Sequence, residues 1–158
     1  MREAARVGAA VHKAIARTLN GDNYDKWLDN ACRPYFDAFK NWYKEHLIEA
    51  KVTEFSLACS EFSGTFDCLA KIKNQWWVIE WKTTERLLPS VAVQTAAYSI
   101  LAGAWFEKQE RETVYIRRAA LQLRPSGEWI FQEYNDISDY AIFNHLLAVK
   151  HWQMRHAK

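Results

Sequence analysis

Asp67, Glu80 and Lys82 are the residues whose types and spacing could carry chemistry. They stand in two short segments, Gly64-Thr65-Phe66-Asp67 and Ile79-Glu80-Trp81-Lys82-Thr83-Thr84. A two-residue turn at Lys73-Asn74 sets Asp67 opposite Glu80, and directly opposed Cβ atoms lie about 4.5–5.5 Å apart. Lys82, two residues beyond Glu80, shares that face. A turn at Asn74-Gln75 would instead set Asp67 opposite Lys82, and a three-residue loop would reverse the parity. Two carboxylates and an ammonium converging on an apolar sheet need a reason, because an unpaired buried carboxylate is costly. A divalent metal is one account. Two hard oxygen ligands suit Mg²⁺, which keeps waters for substrate and nucleophile. Lys82 would then orient or deprotonate the attacking water, or stabilise charge in the transition state. The other account is a surface Glu–Lys pair beside an exposed Asp, contributing about 0–1 kcal/mol. The acidic-x-Lys spacing alone does not decide, since about one match is expected by chance and Glu49-Ala50-Lys51 also has it. The setting of Glu80-Trp81-Lys82 is what distinguishes it: the end of an apolar strand, after a hairpin carrying Gly-x-x-Asp.

The elements that must position these residues follow from periodicity. Residues 3–19 predict a helix with Ala5, Val7, Val11, Ile15 and Leu19 in one stripe, stopped by Asn20-Gly21-Asp22. Residues 23–48 have helical spacing interrupted at Arg33-Pro34, where Pro34 can open a second helix. Residues 50–60, 62–72 and 75–81 read as strands. Pro89-Ser90 caps a helix over 91–106, with Val91, Ala97, Ile100, Leu101 and Ala104 inside. Strands at 113–123 and 128–134 flank Pro125-Ser126-Gly127. Asp136 or Ser138 caps a last helix to about 155, with Ile142, Leu146, Val149 and Trp152 on one face. The order α-α-β-β-β-α-β-β-α predicts one α/β domain over residues 1–158, built on a mixed sheet of about five strands.

Composition bounds the partners. The chain has 158 residues, 49% hydrophobic and 25% charged, which excludes disorder as the main state. No apolar run reaches membrane-span length, and no signal sequence is expected at Met1. The net charge of +2 neither proves nor excludes nucleic acid. Cys32, Cys59 and Cys68 form no C-x-x-C pair, so a zinc ribbon is not expected and a reducing, cytoplasmic setting is. Eight Trp, seven Tyr and eight Phe are an unusual number; most must be core, and some could stack on bases. Thr83 and Thr84 could donate to a phosphate or merely begin the loop. Lys13, Arg17, Arg86, Arg117, Arg118 and Arg124 are basic candidates for phosphate contacts.

The two hairpin segments resemble the signature of the PD-(D/E)XK nuclease superfamily. Gly8-Ala9-Ala10-Val11-His12 resembles the Gly-Thr-x-x-His helix of its RecB-like exonuclease branch, and Gln94-Thr95-Ala96-Ala97-Tyr98 resembles that branch's Gln-x-x-x-Tyr helix. The motifs stand in the family's order across residues 8–98. CRISPR-adaptation nucleases and the mitochondrial genome maintenance exonuclease are similar. The resemblance implies a restriction-endonuclease-like core and Mg²⁺ or Mn²⁺ held by Asp67, Glu80, the Trp81 carbonyl and His12. It adds an acidic residue near the first strand, Glu49, with Glu54 as its rival. Lys82 would be the catalytic lysine. Gln94 and Tyr98 would position the DNA backbone or the lysine. Ala9 departs from the usual Thr, the cysteines do not match the family's iron–sulfur ligands, and no iron–sulfur cluster is expected. With the chain opening close to His12, no strand-threading arch is expected either. The implied function is a metal-dependent DNA exonuclease acting at ends or on single strands, alone or with a homo-oligomer or protein partner. The alternatives are an endonuclease of the restriction or junction-resolving type, or a non-catalytic or partner-dependent DNA-binding module.

Overall fold

The computed structural model describes residues 2–22, 28–46 and 48–157. The chain forms α1 (Arg2–Leu19), α2 (Arg33–His46), β1 (Glu49–Ala58), β2 (Ser63–Ile72), β3 (Gln75–Lys82), α3 (Ser90–Gln109), β4 (Ile116–Leu123), β5 (Trp129–Glu133) and α4 (Ser138–His156). The five strands make one sheet in sequence order. β3 and β4 are parallel, joined through α3, and the other pairs are antiparallel. The architecture is the expected α/β restriction-endonuclease-like core, four helices on a mixed open sheet.

Two apolar layers fix the faces. On one side Val11 and Ile15 of α1 and Phe36, Phe39 and Trp42 of α2 pack on Cys68, Ala70, Trp77, Ile79, Trp81 and Leu121. On the other side Ala102 and Phe106 of α3 pack on Phe66, Leu69, Val78 and Ile116. Each central strand is apolar on both faces, as a sheet covered on both sides requires.

Three expectations are corrected. Residues 28–32 form a turn rather than helix, in which Asp29 accepts the Cys32 amide, and residues 23–27 lie outside the described residues. Pro34 does open α2 within its first turn, where a missing N–H costs nothing. Ala104 is exposed, and Ala102 and Phe106 hold that stretch of the core instead. β4 begins at Ile116 rather than 113, after Arg111 adopts a positive φ of 54°.

α4 departs furthest. Its stripe of Ile142, Leu146, Val149 and Trp152 is 46–58% exposed. The helix is held by other groups. Buried Arg118 of β4 donates to the Ala92 carbonyl, the Asp136 carbonyl and the Asp139 carboxylate. The Ser99 and Tyr140 hydroxyls lie 3.1 Å apart, and Phe62 packs edge-on to Phe143.

Candidate active site

Lys73 and Asn74 both have positive φ, 49° and 64°, as a two-residue type I′ hairpin turn requires. The register that follows pairs Ile72 with Gln75 and Cys68 with Ile79. This is the Lys73-Asn74 alternative, and the Asn74-Gln75 turn is excluded. Beyond Cys68 and Ile79 the pairing stops, although both strands continue. Asp67 fills the gap: its Oδ2 accepts the Trp81 amide at 2.7 Å, taking the place of a ladder bond.

The alternation of side chains also breaks here. Cys68 faces the α1 layer, yet Phe66 faces the α3 layer, although residues two apart should share a face. β1 breaks at the matching place. Phe55 pairs with Phe66 and Thr53 with Cys68, which leaves Glu54 opposite Asp67. Glu54 has a φ of 48°, rare for a residue with a side chain and a form of strain that collects at functional sites. His12 reaches the same point from α1, its Nδ1 3.0 Å from Asp67 Oδ1 and 4.0 Å from Glu54 Oε1. His12, Glu54 and Asp67 offer ligand atoms within 4.8 Å of one another, the one such group among the described residues.

Glu80 turns the other way, toward α3. Its Oε1 accepts Lys82 Nζ at 2.8 Å and Gln94 Nε2 at 2.9 Å. Gln94 also donates to the Tyr98 hydroxyl at 3.0 Å and accepts from Lys82 at 3.3 Å. The i and i+4 spacing on α3 makes this bridge possible. Gly64 has a steric reason: a Cβ there would lie 2.7 Å from Tyr98 Cε1. Thus Asp67 and Glu80 are not side by side on one face, as the strand alternation predicted. They flank the splayed end of the hairpin, Asp67 toward α1 and Glu80 toward α3.

Glu80 Oε2 is buried with no hydrogen-bond partner. Burial first, and the Asp67 charge second, push the Glu80 carboxyl up to about 7 against the opposing pull of Lys82. His12 is raised above its ordinary value: burial opposes the shift, but the Asp67 hydrogen bond and the Asp67, Glu80 and Glu54 charges outweigh it. Burial raises Glu54 as well, and the Asp67 charge adds to this. A surplus of acceptor charge, an orphaned carboxylate oxygen and an imidazole are what a hard divalent cation would satisfy. The donor set therefore fits such an ion. The Trp81 carbonyl lies on the same strand edge as the Trp81 amide that Asp67 holds, because N–H and C=O of one strand residue point to one side.

The remaining candidates divide. Glu49 does not join the group: it is exposed and opposite Lys71, four residues along β2 from Asp67, whereas Glu54 does join it. Thr83 lies under α1, 3.2 Å from where a Gly8 Cβ would sit, and both threonines line the adjoining cavity. Gln122 has no role in the sequence reading, yet its buried amide donates to the Thr84 and Glu85 carbonyls and fixes that loop. The available signal was a lone carboxamide between Leu121 and Leu123 in an apolar strand.

The sequence profile of the PD-(D/E)XK nuclease superfamily matches residues 1–148. No curated protein matches the sequence. Among solved structures, the chain is similar to a "Putative exonuclease" from Eubacterium rectale, with a TM-score of 0.57 at 6% identity, over 93% of this chain and 65% of that one. At that identity the likeness speaks for the fold alone, and the chain spans about two thirds of that protein's length. The profile covers nearly the whole sequence, and the chain belongs to the PD-(D/E)XK nuclease superfamily.

Proposed function

We propose that the chain is a Mg²⁺- or Mn²⁺-dependent deoxyribonuclease that hydrolyses phosphodiester bonds at DNA ends or in single strands. The observation that carries this reading is the buried, unpartnered Oε2 of Glu80 next to the His12–Glu54–Asp67 group. His12, Glu54, Asp67, Glu80 and the Trp81 carbonyl would hold the ion. When bound, it would supply charge stabilisation at the phosphate and lower the pKa of a bound water. Lys82 is held against Glu80 and Gln94, where its ammonium can orient the attacking water and balance charge on the phosphate. Gln94 and Tyr98 fix the Lys82 and Glu80 rotamers through hydrogen bonds and act as positioning residues. Thr83 and Thr84 offer hydroxyls to the phosphate backbone. The reading places the protein in the cytoplasm, where its three free thiols would stay reduced.

The test is cleavage of end-labelled single-stranded, double-stranded and circular DNA with Mg²⁺, Mn²⁺ or EDTA. Metal-dependent loss of linear substrate, absent in Asp67→Ala and Lys82→Ala, supports the proposal. Cleavage of circles would make the enzyme an endonuclease. A folded, metal-loaded protein that cuts no DNA would overturn it in favour of a binding module. A partner-dependent form is the second reading, favoured by the exposed apolar stripe of α4. It predicts specific activity that rises with protein concentration or on adding a partner.

A further inference from the structure

Two cavities of about 870 and 700 Å³ meet beside the cluster. They share Tyr35, Thr83, Thr84 and Glu85, so they form one groove. One end opens on His12 and Lys82, and the other on Arg86, Arg124 and Ser126.

The two halves differ in chemistry. The half beside Lys82 is walled by Ala5, Gly8, Ala9 and Ala31 with the half-buried Tyr35. Small alkyl groups and aromatic rings suit a flat base and offer little to a phosphate. The far half presents Arg86, which makes no ion pair among the described residues, and Arg124, 42% exposed and 4.0 Å from Glu128. Of the acids lining the groove, both Glu3 oxygens are taken by Arg6, and Glu128 accepts the Ser126 hydroxyl. Glu85 remains exposed at the rim. The floor is held in place: Gln122 donates to the Thr84 and Glu85 carbonyls at 2.7 and 2.8 Å, and Thr84 donates to the Arg86 carbonyl at 3.0 Å.

We propose that this groove is a single-strand track, in which the base next to the scissile phosphate lies against Tyr35 and the following phosphates meet Arg86 and Arg124. The inference rests on the reading of the cluster as the cleavage site and names the strand state of its substrate. A base reaches the alanine-lined half only when it is unstacked from a duplex.

The test measures binding of a fluorescein-labelled oligothymidine by anisotropy in EDTA, where metal-dependent cleavage is silent. Tyr35→Ala is expected to weaken binding at least about fivefold, the effect of losing one stacked base. Tyr35→Phe is expected to retain it, which separates stacking from a folding defect. Arg86→Ala and Arg124→Ala are each expected to reduce the slope of log affinity against log salt by about 0.7, the value for one single-strand phosphate. A duplex of equal length is expected to compete poorly. Cleavage by wild type with unaltered binding in all three alanine variants would overturn the track and leave the nuclease reading standing. Loss of binding in the variants of a protein that cleaves nothing would do the reverse. Equal competition by duplex, with the same variants affected, would overturn the single-strand assignment.

Discussion

Glu80 and His12 both favour their protonated forms in the folded, metal-free chain. Each therefore contributes stability that is present below its ordinary pKa and lost as pH rises through its raised one. For Glu80 that loss runs from its ordinary value of 4.5 up to about 7, where it is complete. The metal-free protein is expected to melt several degrees lower at pH 8 than at pH 5.5, a change on the order of 1–3 kcal/mol. Glu80→Gln should flatten this dependence, and excess Mg²⁺ should reverse it, because the cation binds the ionised carboxylates. A melting temperature that rises with pH in EDTA would contradict the account. At the same scale, Glu54→Gln is expected to weaken Mn²⁺ binding about tenfold by calorimetry, while Glu49→Gln changes it little. Lys82→Ala is expected to lower kcat by about 10²–10³ with metal affinity retained. The Lys73-Asn74 register was legible because hairpin pairing is arithmetic, although the shared face it implied for Asp67 and Glu80 does not form. The choice between Glu49 and Glu54 was not, because it depends on a left-handed residue that no pattern of side chains announces.

The element that does most to place these residues is the β2–β3 hairpin. Its register follows from a turn in which Lys73 and Asn74 both take positive φ, a requirement that Lys-Asn meets without advertising it as Asn-Gly would. One glycine inserted between them shifts Asp67 off the Trp81 amide, and a loss of at least about 10²-fold in activity is expected with the fold retained by circular dichroism. Gly64→Ala tests the strand–helix contact. Its new methyl meets the Tyr98 ring, so Tyr98 and Gln94 must shift. A cost of about 1–3 kcal/mol in denaturant melts is expected, with reduced kcat. The sequence exposed the elements well, since their periods are strong. It did not expose the splayed end of the hairpin, where Asp67 substitutes for a backbone partner and the period of two fails.

For the molecule as a whole, hydropathy reported which face of α4 is apolar but not whether anything covers it. The stripe lies open, and buried Arg118 holds the start of the helix by hydrogen bonds to the Asp136 carbonyl and the Asp139 carboxylate, with a third to Ala92 of α3. Arg118→Met should leave Asp139 buried without its partner and destabilise the fold by about 3–5 kcal/mol, read as an earlier urea midpoint. The parallel pairing of β3 with β4 has a further result for biosynthesis. Every member of the cluster lies between His12 and Tyr98, but the strand carrying Glu80 and Lys82 is flanked on one side by β4, and the loop beyond Lys82 is pinned by Gln122. Such non-local pairing closes only after the crossover helix has formed. A chain emerging from the ribosome therefore carries all its ligating groups some time before it carries the walls that make them a cleft.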